Sequence, residues 1–385
     1  MLPLPPLYPI TDASRPESLS AQIRRLGEAG FPLVQFRGKP LDGKAQWLEL
    51  RAALAEAAAH GGWPMICVND RTDLAMLAAR EGLAPWGLHL GQGDLPAAEA
   101  KRLPGLALAH CGASTHEATE WEAPESASDH AGVGPFRGTA TKSDHAAPIG
   151  LEGLRQGCSA LRSLGIAPIA IGGLSLVDAA ACFEAGAESL AMVGEIHRAA
   201  DPAALGWEAQ RLRWRVRPPF QRGQGIAILG GSGVGKTTLG RELAKRLALP
   251  FHDLDESIEA REGRPVSALF TTFGEDGFRA LEAETLPGLL VTPAVVALGG
   301  GAWESPANRQ AVAAAGFAPL WLAEPPTQAW ERVGQDSNRP LAQDRAAFMA
   351  RFAARMPAWS TAPMLIPFGH RSSELASALS WAVSE

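Results

Sequence analysis

Short apolar runs alternate with helical patterns along the first 216 residues of the chain. The apolar runs are typical of buried strands and occur at residues 7–10, 33–36, 65–68, 87–90, 106–109, 131–134, 168–171 and 189–193. Between them, apolar positions recur at helical spacing, for example at residues 21–29, 45–59, 151–164 and 177–185. About eight strand–helix units in this length predict a (β/α)8 TIM barrel, an α/β fold. An open doubly wound sheet is the alternative, but the glycine-rich first turn typical of that fold is missing.

A different pattern begins at residue 225. The apolar run 225–229 predicts a buried strand, and Leu239, Leu243 and Leu247 have the spacing of one helix face. Between them, residues 230–237 read GGSGVGKT, which matches the pattern G-x-x-x-x-G-K-[ST]. Strand, glycine-rich loop and helix together predict a P-loop kinase domain with a parallel sheet.

The stretch 211–225 separates the two patterns. It ends a helical pattern and then carries Pro218 and Pro219, which cannot continue a helix. Several arginines fall in this stretch; a solvated helix face followed by a linker explains them, with an anion-binding patch as the alternative. We therefore expect a TIM barrel at residues 1–216, a linker at 217–224 and a P-loop domain at 225–385.

The glycine-rich loop is expected to bind ATP. Its backbone N–H groups and the positive end of the helix would hold the α- and β-phosphates, while Lys236 reaches the β- and γ-phosphates. Thr237 would offer its hydroxyl to Mg²⁺. The nucleotide-binding residues predicted here are Gly231, Ser232, Gly233, Val234, Gly235, Lys236, Thr237 and Thr238.

The composition of the chain limits which binding partners and which cellular compartment we expect. The chain has 46% apolar and 20% charged residues, an ordinary globular composition, and its net charge of −6 argues against nucleic acid as the main partner. The four cysteines are widely scattered, which suits a reducing compartment. Because the first residues lack signal-peptide features and no apolar run is long enough for a membrane helix, we expect a cytoplasmic enzyme that acts on small molecules.

Polar and charged residues follow most of the predicted barrel strands. The carboxyl ends of TIM-barrel strands meet at one rim, where catalytic residues collect. The residues are Gln35, Arg37, Lys39, Asn69, Asp70, Asp94, Ser114, Thr139, Thr141, Lys142, Gly172 and Gly173. Cations neutralise phosphate oxygens, carboxylates hold Mg²⁺ and glycine N–H groups bind a further phosphate, so the set predicts a site for a polyanion with Mg²⁺. Taken singly, these residues have structural alternatives as loop charges, helix caps or turns.

These residues lie in segments that resemble thiamine-phosphate synthases. The segments read YPITD, VQFRGK, CVNDRTDLA, GLHLGQGDLP, GASTHEATE, GVGPFRGTATK and PIAIGGLS, in this order, over about residues 7–197. The resemblance implies coupling of a hydroxymethylpyrimidine diphosphate to a thiazole phosphate, with release of diphosphate and with Arg37 and Lys142 as catalytic cations. The contacts that it implies are Gln35, Arg37, Lys39, Asn69, Ser114 and Lys142 for the pyrimidine diphosphate, Asp70 and Asp94 for Mg²⁺, and Thr139, Thr141, Gly172 and Gly173 for the thiazole phosphate.

Two glycines depart from that family. Gly38 stands where the family usually has an acidic or amide residue, and Gly194 stands where it usually has a serine. They leave open an alternative in which the second domain is fused to a thiazole tautomerase-like barrel or to a catalytically inactive scaffold. The intact Thr139-Ala-Thr141-Lys142 signature favours the synthase over the tautomerase.

Two carboxylates follow the P-loop in the run 251–255. If this run is a strand, Asp253 and Asp255 face the same side. One would support Mg²⁺ near Thr237, and the other would accept a hydrogen bond from the hydroxyl of a phosphoryl acceptor. A helix cap leading into the following helix is the alternative.

An arginine and a run of glycines follow farther along. Arg279 precedes Glu282 by one helical turn, which predicts either a carboxylate-binding fork or a surface ion pair. Gly299, Gly300 and Gly301 follow an apolar run and either let a ligand approach the backbone or form a tight turn.

The segments GGSGVGKTTLG, FHDLD, GEDGFRALE, LGGGAW and NRPLA resemble shikimate kinases over about residues 225–365. The resemblance implies transfer of the γ-phosphate of ATP to shikimate, with Mg²⁺. Lys236, Asp255 and Arg339 would be catalytic, with Arg339 on a closing lid, and Arg332 would pack on adenine. The shikimate contacts that it implies are Asp255, Arg279, Gly300, Gly301 and Arg355, and the metal-binding residues are Thr237 and Asp253. Both halves together predict a bifunctional transferase.

Overall fold

The computed structural model describes residues 3–122, 127–138, 147–333 and 344–383. The chain divides into two compact units. The first consists of the residues up to Ala59 together with Trp63–Val216, and the second of His60–Gly62 together with the residues from Arg217 onward.

The first unit is built on an eight-stranded parallel sheet. Its strands are β1 Leu7–Pro9, β2 Leu33–Phe36, β3 Met65–Asn69, β4 Gly87–Leu90, β5 His110–Thr115, β6 His130–Val133, β7 Ala167–Ile171 and β8 Ser189–Met192. They follow the order β1-β8-β7-β6-β5-β4-β3-β2. A parallel bridge between Ile10 and Gln35 joins the two ends of the sheet, so the strands form a barrel, which confirms the predicted fold.

Helices follow the barrel strands and bury one face each. They are α1 Leu19–Glu28, α2 Gly43–Ala59, α3 Thr72–Arg80, α4 Ala97–Ala100, α5 Ala118–Glu122, α6 Gly150–Ser163, α7 Ala179–Glu184, α8 Gly194–Arg198 and α9 Pro202–Val216. In α1, for example, Leu19, Ile23 and Leu26 are buried at the spacing of one helix face.

The predicted position of the fifth strand was wrong. The apolar run 106–109 lies in a loop, where Leu106 is buried and Ala107 and Ala109 are exposed. The strand begins at His110, and every second residue from there, namely His110, Gly112 and Ser114, lies on one face. Because these positions are polar or lack a side chain, a search for apolar runs passes over this strand.

The second unit is a five-stranded parallel sheet with helices. The strands are β9 Ile226–Leu229, β10 Phe251–Asp253, β11 Val295–Ala297, β12 Ala318–Leu322 and β13 Met364–Leu365, in the order β10-β11-β9-β12-β13. The helices are α10 Lys236–Leu247, α11 Leu254–Glu262, α12 Val266–Leu289, α13 Pro306–Ala314, α14 Pro326–Val333, α15 Arg345–Trp359 and α16 Ser372–Ala382. The central β9 is fully buried, and the glycine-rich loop leaves its carboxyl end, as expected for a nucleotide site.

Helix α12 is interrupted at Gly274, whose φ of 68° and ψ of −173° are not helical. The kink starts a new helical segment at Glu275, which is important for the site described below. Across the described parts of the chain, no helix is both long and apolar enough to cross a bilayer.

Candidate functional sites

Three charged side chains meet at the carboxyl rim of the barrel. The Lys39 ammonium lies 2.5 Å from the Asp70 carboxylate. Asp70 has a left-handed backbone, with φ of 62°, and its N–H donates to the carbonyl of His89 in β4. Asp94 follows β4, and its carboxylate accepts a hydrogen bond of 2.7 Å from the N–H of Gly91. Backbone hydrogen bonds at the ends of β3 and β4 thus hold the backbone of Asp70 and the carboxylate of Asp94 in place.

The electrostatics of this cluster suit a divalent cation. The pKa of Asp94 is raised, mainly because the carboxyl is partly buried and also because of the negative charge of Asp70, while Lys39 acts in the opposite direction. A cation bound between the two carboxylates would relieve their repulsion. Among the described residues no group of three or more histidine, cysteine or acidic side chains is placed to hold a metal. Mg²⁺ usually binds one or two protein carboxylates and fills its other coordination positions with phosphate oxygens and water, so two carboxylates suit this ion.

The other predicted contacts of the pyrimidine diphosphate lie along the same rim. Gln35 is buried in β2, and Asn69 is the last residue of β3. The Arg37 N–H donates to the hydroxyl of Thr11, which in turn donates to the Arg37 carbonyl. Ser114 lies in β5, with its hydroxyl oxygen 3.0 Å from Nε2 of His89.

The glycines after β7 form a left-handed turn. Gly172 and Gly173 have φ of 97° and 64°, and a Cβ on Gly172 would lie 2.6 Å from Pro135. The backbone N–H of Arg137 donates to the Gly172 carbonyl. Side chains are therefore excluded from this turn, as expected where a backbone approaches a ligand. Thr139, Thr141 and Lys142, which were predicted to complete this part of the site, lie outside the described residues.

Neighbouring side chains fill the space beside the two unusual glycines. A Cβ on Gly38 would lie 2.7 Å from Cγ of Gln46, whose amide carbonyl accepts a hydrogen bond from Arg71. A Cβ on Gly194 would lie 2.8 Å from the guanidinium of Arg198. The side chains of Gln46 and Arg198 thus lie where side chains on Gly38 and Gly194 would otherwise be.

Three buried histidines behind Ser114 were not predicted. His89, His110 and His130 lie on β4, β5 and β6 and are almost completely buried. The signal was available in the alternation H-x-G-x-S of residues 110–114, which places polar groups on one face of a strand.

In the second unit, the P-loop has the geometry of a phosphate site. Helix α10 begins at Lys236, directly after Gly235, whose φ is 93°. A Cβ on Gly231 would lie 2.0 Å from the Phe352 ring, and one on Gly233 would lie 2.5 Å from the Ala329 carbonyl. The Lys236 ammonium donates to the carbonyls of Gly230 and Gly231 over 3.0 and 2.8 Å, which curls it over the loop. The remaining predicted nucleotide contacts are Ser232 and Val234 in the loop and Thr238 in the first turn of α10.

Asp253 connects the P-loop helix to the next strand. The Thr237 hydroxyl donates to Asp253 over 2.7 Å, so the two residues predicted to support Mg²⁺ are adjacent. The same carboxylate accepts from the N–H groups of Asp255 and Glu256 and therefore caps α11. The predicted strand through Asp255 was wrong, because β10 ends at Asp253 and Asp255 lies in the first turn of α11. The two aspartates are thus not on one strand face.

The predicted acceptor site gathers around the glycine run after β11. Glu282 has a fully buried side chain and binds Arg279 over 2.7 Å, so this is not a surface ion pair. A Cβ on Gly299 would lie 2.3 Å from Glu282 and 2.8 Å from Asp255, and one on Gly301 would lie 2.2 Å from Arg279. Only residues without side chains fit here, so the backbone lies directly against the polar side chains.

Two arginines of this site share one carboxylate. Glu275 Oε1 accepts hydrogen bonds of 2.8 Å from Arg279 and 3.4 Å from Arg355. Arg355 also donates to Glu304, while the Cβ position of Gly300 is 3.5 Å from its guanidinium. The arrangement shows that a carboxylate fits between Arg279 and Arg355.

Arg332 lies beside the P-loop. It forms an ion pair with the buried carboxylate of Glu324 and donates to the Gly233 carbonyl over 3.1 Å. The ion pair raises the pKa of the Arg332 guanidinium. Arg339, predicted to act on the lid, lies outside the described residues.

Comparisons with known proteins match the two units separately. A family model described as thiamine monophosphate synthase matches residues 7–196, and one described as shikimate kinase matches residues 232–379.

Individual relatives agree with these matches. The chain is 38% identical over 210 residues to a thiamine-phosphate synthase of Chloroflexus aurantiacus. The matched region covers 54% of this chain and 91% of the relative. It is 45% identical over 119 residues to a shikimate kinase of Aromatoleum aromaticum, covering 31% of this chain and 67% of the relative. A shikimate kinase of Thermobifida fusca is 41% identical over 137 residues, covering 35% of this chain and 78% of the relative.

Proposed function

The chain belongs to the thiamine-phosphate synthase family in its first unit and to the shikimate kinase family in its second, and we propose that it catalyses both reactions. The barrel couples hydroxymethylpyrimidine diphosphate to thiazole phosphate, giving thiamine phosphate and diphosphate. The P-loop domain transfers the γ-phosphate of ATP to shikimate, giving shikimate 3-phosphate. The observation that carries the first assignment is the cluster of Lys39, Asp70 and Asp94, and the second rests on the carboxylate between Arg279 and Arg355.

In the barrel, the bond between the pyrimidine methylene and the diphosphate oxygen breaks, and its electron pair leaves with the diphosphate. The protein stabilises the leaving anion with fixed cations, Arg37, Lys39 and Lys142, while Gln35, Asn69 and Ser114 position the pyrimidine diphosphate. Asp70 and Asp94 would hold Mg²⁺, which supplies further charge neutralisation when bound. The thiazole nitrogen then attacks the methylene carbon, and positioning of this nucleophile supplies most of the remaining catalysis.

The thiazole phosphate is held by the turn of Gly172 and Gly173 with Thr139 and Thr141. We add Arg198 to this set, because its guanidinium lies against Gly194 at the start of α8. The Leu176 N–H, shortly after the glycine turn, donates to Glu195 in the same helix, so the chain segments that follow β7 and β8 are in contact. A guanidinium binds phosphate oxygens through charge-assisted hydrogen bonds.

In the P-loop domain, backbone N–H groups of residues 231–237 and the Lys236 ammonium bind the phosphates of ATP. To do so, Lys236 exchanges its carbonyl partners for phosphate oxygens. Thr237 and Asp253 would hold Mg²⁺, while Arg332 lies beside the adenine and Arg339 covers the transferring phosphate. Catalysis is then positioning together with neutralisation of phosphate charge.

Shikimate is held with its carboxylate between Arg279 and Arg355. The Glu275 carboxylate occupies this position in the structure and is displaced when shikimate binds. Glu282 keeps Arg279 in place from the buried side, the backbone of Gly300 and Gly301 lies along the ligand, and Asp255 orients the attacking hydroxyl.

The partners proposed for this chain are small molecules, and the proposed location is the cytoplasm. All four cysteines are buried and none of them forms a disulfide, which suits a reducing compartment.

Two assays on one purified preparation test the proposal. The first measures diphosphate and thiamine phosphate formed from both barrel substrates with Mg²⁺, and the second measures ADP formed in the presence of shikimate. We expect both activities, with Asp94→Ala abolishing only the first and Lys236→Ala only the second. Each variant is thereby the folding control for the other. A silent barrel beside a working kinase would refute the first assignment, and full kinase activity in Lys236→Ala would refute the second.

A further inference from the structure

The interior of the barrel contains a row of imidazoles that the reaction above does not use. Gly112 of β5 is paired with His89 of β4 on one side and with His130 of β6 on the other. A Cβ on Gly112 would lie 2.1 Å from Cε1 and Nε2 of His130. The missing side chain therefore leaves the space in which the imidazoles of His89 and His130 meet.

The imidazoles form an unbroken chain of hydrogen bonds that ends at Ser114. Nε2 of His110 is hydrogen bonded to Nδ1 of His130. Nε2 of His130 lies 2.9 Å from Nδ1 of His89, and Nε2 of His89 lies 3.0 Å from the Ser114 hydroxyl oxygen. Adjacent rings are nearly parallel, with interplanar angles of 11° and 21° and centroid separations of 4.5 and 5.1 Å.

A carboxylate faces the other end of the chain. Asp129 precedes β6, and its Oδ2 lies 3.7 Å from Nδ1 of His110. The same oxygen accepts hydrogen bonds of 2.8 Å from the Cys111 N–H and lies 2.8 Å from the Lys101 ammonium. Two donors of this kind are the partners of an ionised carboxylate.

All three imidazoles are buried, and burial favours the neutral form of an imidazole. Burial lowers the pKa of His110 to about 3 and the pKa of His130 well below its usual value. A neutral imidazole has one N–H donor and one bare nitrogen acceptor. Each contact in the chain needs one donor and one acceptor, and His130 and His89 use both nitrogens, so all the protons must point the same way, either toward Ser114 or toward Asp129.

The carboxylate selects one of these two directions. If the protons point toward Ser114, His110 presents a bare nitrogen lone pair to the negative charge of Asp129, which is repulsive. If they point toward Asp129, His110 presents an N–H to it, which is attractive. Each imidazole then carries its proton on Nδ1, and Nε2 of His89 is left as the acceptor for the Ser114 hydroxyl.

We propose that Asp129 is a positioning residue that, acting through His110, His130 and His89, makes the Ser114 hydroxyl donate inward and present its oxygen lone pairs to the substrate. The inference rests on the proposed synthase function. Because the Ser114 hydroxyl donates its proton to His89, it can only accept a hydrogen bond from the substrate. Its partner is therefore a donor group on the pyrimidine half of the substrate and not a phosphate oxygen.

The test determines which ring nitrogen of each histidine carries the proton. It uses ¹⁵N NMR on the full chain with ¹⁵N-labelled histidine. Signals are assigned by the loss of one signal in each of His89→Gln, His110→Phe and His130→Phe. We expect the Nδ1–H tautomer for all three rings in the natural protein. In Asp129→Asn, whose amide can present either an oxygen or an NH₂ group to His110, we expect Nε2–H signals to appear.

Lys101→Met is the matched control, because it removes a partner of Asp129 but keeps the carboxylate; it should leave the tautomers unchanged. Kinase activity and an unchanged unfolding temperature show that a variant is folded. Nε2–H tautomers in the natural protein, or unchanged tautomers in Asp129→Asn, would overturn the proposal. These readouts do not depend on turnover, so they stay distinct from failure of the synthase assignment.

A kinetic measurement adds a second criterion. We expect Asp129→Asn to raise the KM for the pyrimidine diphosphate about fivefold, and to have no such effect in a Ser114→Ala background, where no hydroxyl is left to orient. Equal effects in both backgrounds would contradict a role that acts through Ser114.

Discussion

The Lys39 ammonium lies 2.5 Å from the Asp70 carboxylate, so a cation of the protein already neutralises one of the two acids proposed to hold Mg²⁺. The other acid, Asp94, has a raised pKa because of its burial and of the charge of Asp70. We therefore expect lysine and metal to compete for Asp70 when no diphosphate is present. Bound diphosphate would offer Lys39 an alternative partner and leave Asp70 to the metal.

Replacing Lys39 should therefore tighten metal binding by the free protein. We expect Lys39→Met to bind Mn²⁺, used as a probe for Mg²⁺, about two- to fivefold more tightly in the absence of substrates, since an exposed ion pair contributes little. The KM for the pyrimidine diphosphate should rise at the same time. Calorimetric titration measures the first effect, with Asp94→Ala as the blank for this site. Lys44→Met, an exposed lysine of α2, is the control, and unchanged Mn²⁺ affinity in Lys39→Met would contradict the competition.

Arg198 should contribute to binding of the thiazole phosphate. Loss of a charge-assisted hydrogen bond costs about 1.5–3 kcal/mol, so Arg198→Ala should raise the KM for thiazole phosphate roughly tenfold or more, with a smaller effect on the KM for the pyrimidine diphosphate. Steady-state kinetics with each substrate varied in turn measure this. Arg155→Ala removes an arginine of α6 that pairs with the exposed Glu152 and should change neither constant. Equal changes in both constants would point to a general disturbance of the barrel instead.

Much of the architecture could be predicted from sequence because parallel strands are buried on both faces and form continuous apolar runs. The strands at 33–36 and 87–90 lie where their apolar runs predicted them. β5 was misplaced because its row of His110, Gly112 and Ser114 is polar or lacks a side chain. The glycine that makes room for an imidazole on the next strand cannot be told from a turn glycine until the strands are in register.

The candidate sites, like the fold, were predicted only in part. The P-loop was predictable because its residues are consecutive, whereas the alternation of Asp253 and Asp255 misled, since a strand of three residues ends between them. The contact of Glu275 with Arg355 had no signal in the sequence, because the two residues lie on helices far apart in the chain. Glu275 directly follows the kink of α12 at Gly274, which the sequence did not predict either.

Glu275 should act as a competitor of shikimate. Its carboxylate contacts both arginines, so Glu275→Gln should lower the KM for shikimate about two- to fivefold, a modest effect because Glu275 is largely exposed and screened by solvent. Initial rates at varied shikimate measure it, and the difference from the natural protein should shrink at high salt. Glu284→Gln is the control, because Glu284 lies on the same helix and pairs with Arg261 outside the site. A raised KM would show instead that Glu275 orients the arginines for the ligand.

Glu282 should make the stability of the P-loop domain depend on pH. Its side chain is fully buried, and burial raises its pKa to about 7 despite the opposing charge of Arg279. The unfolded chain ionises glutamate near pH 4.3. Because the folded state holds the proton longer, the contribution of Glu282 to stability is complete below about pH 4.3 and is lost as the pH rises through about 7.

The variant Glu282→Gln isolates this contribution, because glutamine stays neutral at every pH. Relative to the variant, the natural protein should lose stability between about pH 4.3 and 7, by a few kcal/mol at most, and the difference should level off above that range. Calorimetric unfolding of the full chain at several pH values measures the shift, and stabilisation by ATP identifies the transition of the P-loop domain. Glu284→Gln provides the control for an exposed glutamate of the same helix. Parallel unfolding temperatures of Glu282→Gln and the natural protein across this range would show that Glu282 is already ionised in the folded domain, with Arg279 outweighing its burial.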